Sequence, residues 1–159
     1  MRSALFTYDK KKVIQALRFH FISRREIKLM IIFVNVFAIA SAAFYFFGYV
    51  TPVAFLLASG LWFILMISFW FVLPLTIYKK AATFKDSFVV RLEPHHMFLE
   101  NAKGSRSWPW KSFSTFVESP HFFHLYFDSR SFFLIPKEAF QDNDTFEVRA
   151  FLKEHIIKK

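Results

Sequence analysis

The sequence predicts a membrane α+β protein: a two-helix transmembrane hairpin joined to a small antiparallel β-barrel or sandwich that a C-terminal helix caps. Three observations carry this. Fifty consecutive residues, 29 to 78, contain no Lys, Arg, Asp, Glu or His. Basic residues crowd the flanks of that run, while its one internal turn has none. Beyond residue 78 the pattern changes from continuous apolar to alternating, with turn signals about every ten residues.

The apolar run comes first because its length decides the rest. As one straight helix it would measure roughly 75 Å, against a hydrocarbon core of about 30 Å, so it must cross twice. Its turn chemistry sits at Gly48, Tyr49, Val50, Thr51 and Pro52. Gly tolerates positive φ, and Pro suits the first turn of a new helix. This places the spans at residues 29–47 and 53–72, with the outer turn at 48–52 and Pro74 near the inner end of the second span. Ala38 and Ala42 lie one helical turn apart, as do Ala54 and Ala58, which predicts close packing of the two helices through small residues. A signal peptide cleaved after Ala38-Ile39-Ala40 is a poorer reading, because the preceding segment is too long for an n-region and a second span follows. A soluble core hairpin is poorer still, since fifty uncharged residues exceed what so small a domain can bury.

Orientation follows from Lys and Arg. Arg2, Lys10, Lys11, Lys12, Arg18, Arg24, Arg25 and Lys28 precede the hairpin, and Lys79, Lys80 and Lys85 follow it. Both termini therefore belong in the cytoplasm, with the aromatic cluster at residues 44–49 at the outer interface. The first division, residues 1–28, reads as a strand at residues 5–8 able to pair with the C-terminal domain, then a basic amphipathic helix over residues 10–27. In that helix Val13, Ile14, Leu17 and Phe21 share a stripe. Lys10, Lys11, Lys12, Arg18, Arg24 and Arg25 are the candidates for contact with anionic lipid, each contributing on the order of 1 kcal/mol near such a surface. The alternative is that these charges only set topology while the stripe packs on the C-terminal domain.

The third division, residues 79–159, reads as six or seven short strands and a helix at residues 145–158 opened by Asp144 and Glu147 as a capping pair. Phe88, Val90 and Leu92 are expected on one face, as are Phe113, Thr115 and Val117, and then Phe123, Leu125 and Phe127. Pro109 makes the strand at residues 108–110 an edge or bulged one. The last helix carries two apolar stripes. Val148, Phe151, Leu152 and His155 face the strands; Phe146, Ala150 and Ile157 lie on nearly the opposite side and are candidates for a partner surface.

The strand segment beginning Trp110-Lys111-Ser112-Phe113, the aromatic strand at residues 122–127, and "FLIPKEAF" at residues 133–140 resemble the YcxB-like family of small bacterial membrane proteins. The opening "FTYD" at residues 6–9 and the double span fit the same layout, so the resemblance covers nearly the whole chain. It implies a cytoplasmic module similar to a pleckstrin-homology-like fold, with Trp110, Ile135, Pro136, Lys137 and Phe140 as motif and core positions, and it implies no reaction. Glu138 departs from the pattern, standing where a basic residue is expected.

Catalytic chemistry is not expected. Six histidines invite a metal site, but residues three apart on a strand, as in His121 and His124, point to opposite faces, and no acidic or cysteine partner lies nearby. No phosphate-cradling or nucleotide fingerprint occurs, and three glycines leave little to build one. Neither metal nor cofactor is called for. The spans hold no ionisable group, which disfavours proton-coupled transport, and Asn35 serves helix packing. Eight basic residues oppose two acidic ones before the hairpin, whereas residues 79–159 balance thirteen against ten, so the charge marks topology rather than nucleic-acid binding. The expected function is a non-enzymatic interaction or regulatory module on an integral membrane protein, with the bilayer and a protein partner or second copy as its associates. The alternative is a sensor of anionic lipid headgroups.

Overall fold

The computed structural model describes residues 1–156, the side chains of Asp142 and Asn143 excepted. The chain divides into two compact units, one of residues 1–16 with 81–159 and one of residues 17–80.

The second unit is helical. Helix α1 (Lys10–Ser23) starts in the first unit and ends in this one; Arg24, extended at φ −77° and ψ 128°, separates it from α2 (Arg25–Phe46). The amphipathic helix thus stops four residues short of its expected end, and the first apolar helix begins four residues earlier than its charge-free run. The turn is as the residues demand: Gly48 adopts φ 76°, Thr51 Oγ1 accepts from the Ala54 amide, and Pro52 opens α3 (Pro52–Ile67). Next comes one π-turn, Ser68–Val72, and then α4 (Leu73–Lys80). The second apolar helix therefore runs past the expected end at residue 72 with Pro74 inside it. A proline removes an amide and clashes with the carbonyl four residues back, so the ladder shifts here: the Leu73 amide donates five residues back to the Ser68 carbonyl.

The helices Arg25–Phe46 and Pro52–Lys80 are long and apolar enough to cross a membrane. Only 6% of the apolar window of the first is buried and none of the second, so neither is covered by the rest of the described chain. Phe33, Ile39, Phe46 and Leu57 are among the large side chains left exposed. The two helices meet through the Tyr45–Phe55 ring stack at 4.6 Å and a hydrogen bond of 3.4 Å from Trp62 Nε1 to Asn35 Oδ1. Of the four small residues expected at the helix contact, three line the space shared by the two helices. Ala38, Ala42 and Ala58 line a groove of about 330 Å³, and Ala54 is exposed.

The first unit is β-rich. Strands β1 (Val89–Leu92), β2 (His96–Asn101) and β3 (Gly104–Pro109) form one antiparallel sheet in the order β1-β2-β3, with Val90 opposite Leu99 and Met97 opposite Trp108. Strands β4 (Thr115–Glu118), β5 (Phe122–Tyr126) and β6 (Phe132–Pro136) form a second, in the order β4-β5-β6. No hydrogen-bonded ladder joins β3 to β4 among the described residues, so of the barrel or sandwich expected no barrel closes, and the strands form two open three-stranded sheets. The N-terminal segment runs beside β1: the Phe6 and Phe88 amides exchange hydrogen bonds at 2.9 and 3.0 Å, and the Ser3 amide donates to the Val90 carbonyl. Its other end reaches the second sheet, where Tyr8 stacks on Phe122 and its hydroxyl donates to the Leu134 carbonyl at 2.7 Å.

That cover explains why all five residues of β5 are buried, although a half-buried strand would have alternated. At β4 the expected face is also corrected. Phe116 is buried, Thr115 is exposed, and Phe113 is buried from the one-turn 3-10 segment Trp110–Ser112 and its cap rather than from a strand. Helix α5 (Asp142–Ile156) closes the unit with Val148, Leu152 and Ile156 buried. It starts before Asp144, whose amide donates to the Gln141 carbonyl, so Asp144 lies in the first turn rather than at the cap.

Candidate functional site

The basic stretch does not form one free cationic face. Lys10, Lys11 and Arg25 are exposed. Lys12 instead pairs with Glu138, whose hydrogen bond raises the lysine's proton affinity, and the Lys12 amide donates to Asp9 Oδ1 at 2.9 Å. Glu138, the acidic departure from the family pattern, is thereby accounted for. It compensates a lysine from the helix that precedes the hairpin. Arg24 lies 3.9 Å from Glu26. His20, buried on the same helix, is pushed down to about 4 by desolvation, with Arg24 adding to the effect.

Arg18 has a specific seat. Its Nε donates to the Trp70 carbonyl at 2.9 Å, and its guanidinium lies 5.0 Å from the Trp70 ring and 5.3 Å from the Phe71 ring. The carbonyl four residues before Pro74 is that of Trp70, the one whose helical donor the proline removes. Arg18 replaces that donor. Next to it, Thr76 Oγ1 donates to the Val72 carbonyl at 2.7 Å. Sequence reading placed Arg18 among the lipid contacts, because nothing in a one-dimensional pattern ties residue 18 to residue 70. Pro74 inside an apolar run was the one signal that a helical carbonyl needed an outside donor.

In the β-rich unit the motif positions form a connected structure. Trp110 is buried, its Nε1 donates to the Glu93 carbonyl at 2.8 Å, and its ring meets Phe113, Phe151 and His155. Ile135 and Pro136 are buried at the end of β6, and Phe140 is buried after the short 3-10 segment Lys137–Ala139. Lys137 leaves this segment to meet Glu118 at 2.6 Å and lies 5.5 Å from the Phe123 ring. Arg149 of α5 grips the same carboxylate in a fork, Nε to Oε2 and Nη2 to Oε1, both at 2.7 Å. These cations, Arg149 foremost, hold Glu118 down to about 2 against a desolvation that pushes the other way. The triad ties the middle of the last helix to β4 and to the turn after β6. Residues 92–152 match the family model described as YcxB-like protein.

The YcxB-like segment contains Trp110, Ile135, Pro136, Lys137 and Phe140, and it stops short of both the opening at residues 6–9 and the two apolar helices. No curated protein and no solved structure matches the chain. Within the YcxB-like segment the charged motif residue is satisfied internally: Lys137 is spent on Glu118, which leaves it a structural position. On the far side of α5, Phe146 and Ala150 are exposed, Phe146 at 70%. Ile157, the third member of that stripe, lies outside the described residues. His121 is exposed and His124 buried, so the two do not converge, and no cluster of three or more potential metal ligands occurs among the described residues.

Proposed function

We propose that this chain is a multi-pass membrane protein whose two apolar helices cross the bilayer as a hairpin and whose YcxB-like unit, pleckstrin-homology-like in architecture, is a non-enzymatic interaction or regulatory module on the cytoplasmic side. The observation that carries the reading is the exposure of the two long helices. Large apolar side chains such as Phe33, Ile39 and Ile64 stand exposed along a run without a single charge. Water would penalise that arrangement, at about 25 cal/mol per Å² of apolar surface, and hydrocarbon would not. The interaction role is supported by the exposed Phe146 and Ala150 on the side of α5 turned away from its own sheets. Crosslinking of the full chain in native membranes, followed by mass spectrometry, tests it. Crosslinks from residues 146–150 to one recurrent protein are expected; a monomeric chain with none from this face refutes the role.

The lipid-sensor alternative is narrower than the residue types suggest. Lys12 is neutralised by Glu138, Arg18 is held by Trp70 and Arg24 lies beside Glu26, which leaves Lys10, Lys11 and Arg25. Three exposed lysine or arginine side chains support nonspecific attraction of about 3 kcal/mol to anionic lipid, and that attraction is screened by salt.

A further inference from the structure

The two sheets of the β-rich unit do not close, and the opening is not empty surface. A cleft of about 640 Å³, within the usual size for a small-molecule site, lies between β3 and the turn joining β5 to β6. Phe88, Leu99 and Phe133 form its floor and are already buried. Its walls are the half-buried rings of Trp108, Phe127 and Phe132, with Trp108 and Phe127 5.9 Å apart.

Polar groups stand on one side only. Asp86 and Lys103 neutralise each other there at 3.2 Å. Arg106 is different. It sits opposite Leu99 in the β2–β3 ladder, and opposed residues share a face, so its side chain belongs to the cleft side of the edge strand rather than the outer side. It is exposed and has neither an ion pair nor a hydrogen bond to its side chain among the described residues. The cleft therefore offers a carbon-lined interior with a single uncompensated cation at its rim.

We infer that this cleft binds a single-tailed amphiphilic monoanion, a long-chain carboxylate, with the tail along Trp108, Phe127 and Phe132 and the carboxylate on the Arg106 guanidinium. A guanidinium fork matches a carboxylate in two parallel hydrogen bonds. A polyanionic headgroup fits poorly, because Asp86 stands at the same rim and only one net positive charge is free to meet it. The inference goes beyond the membrane-module reading, since it concerns a ligand within the β-rich unit and holds whatever protein the α5 face meets.

The test uses the full chain in neutral lipid nanodiscs and a dodecanoate carrying a terminal diazirine. After illumination, peptides within residues 104–133 should be labelled. Labelling should fall about tenfold in R106Q, the loss of about 1.4 kcal/mol of binding that one charge-assisted contact accounts for. The methyl ester of the same probe should label at the reduced level in both proteins. Arg106 is exposed, so R106Q is expected to fold, and an unchanged far-UV spectrum checks that. Trp108 fluorescence should shift on adding the carboxylate to the natural sequence but not to R106Q. Labelling confined to residues 29–78, or equal labelling by acid and ester, or by the natural chain and R106Q, overturns the inference.

Discussion

Phe33 and Phe123 are chemically the same side chain, yet one is 77% exposed and the other wholly buried. The contrast runs through the two units. In the β-rich unit large apolar residues are taken inside by partners on both sheets, on α5 and on the N-terminal segment. In the hairpin they point outward along its length. Composition alone would score both regions as core. What separates them is the pattern of charge: the β-rich unit spaces Lys, Arg, Asp and Glu between its aromatics, and the hairpin has none over fifty residues. Burial within protein needs a polar outer surface, whereas a helix in hydrocarbon needs none.

Mutations can break this contrast from either side. The largest effect is expected at Trp110, where truncation to Ala removes a buried ring, its contacts with Phe113 and Phe151, and the donor to Glu93. A loss of about 3–5 kcal/mol from the β-rich unit should follow, measured as a lowered chemical-denaturation midpoint monitored by the remaining tryptophans. The sharper test is Ile64→Lys, placed on an outward-facing position of the second apolar helix. In a bilayer the lysine costs about 2.5–3.5 kcal/mol of insertion. In water the same substitution would lie within about 0.5 kcal/mol of neutral. A membrane-insertion assay that counts glycosylated or protease-protected product separates the two.

A smaller effect is expected where a helix of the hairpin depends on a side chain from outside the run. Arg18→Gln withdraws the guanidinium from the Trp70 carbonyl and from two aromatic faces, a loss of about 1–2 kcal/mol. Protease susceptibility of the α1–α2 link at Arg24 should rise. Pro74→Ala in the same background should restore part of the loss, because an alanine amide supplies the missing donor. The absence of such rescue would mean that Arg18 acts only through the rings.

The smallest effect belongs to Glu118. Its triad is three-quarters shielded at the carboxylate, yet its cations remain partly in water, so Glu118→Gln should cost about 1 kcal/mol or less at neutral pH. The pH dependence has a definite sign. Folded, the carboxyl titrates at about 2, and in the unfolded chain near its ordinary 4.5, so the unfolded state takes the proton first. The contribution is complete above about 4.5, declines as pH falls, and is gone by about 2. Glu118→Gln should flatten the acid limb of the denaturation profile across that window.

Much of this architecture was legible in the residues. The double run, its Gly48 and Pro52 turn, the edge position of the Pro109 strand and the strand-facing stripe of α5 all follow from local periodicity and turn chemistry. The misreadings share one cause, which is cover supplied from far along the chain. Both faces of β5 are buried because Tyr8 arrives from more than a hundred residues away, and alternation could not foresee it. Phe116 rather than Thr115 and Val117 faces inward because the Trp110 turn shifts the strand's start, changing the face of every residue after it. Lys12 and Arg18 looked like free cations because their partners, Glu138 and the carbonyl of Trp70, are distant in sequence.

The central claim is that the apolar helices pass through lipid with both flanks on one side, and the absence of cysteine makes it directly measurable. Single cysteines introduced at Tyr49, Lys11 and Lys111 in intact bacterial cells can be challenged with a membrane-impermeant maleimide. The account predicts that Tyr49→Cys reacts from outside, while Lys11→Cys and Lys111→Cys react only after the membrane is opened. Reaction of Lys111→Cys in intact cells, or equal protection of all three until lysis with the chain recovered in the soluble fraction, would contradict it.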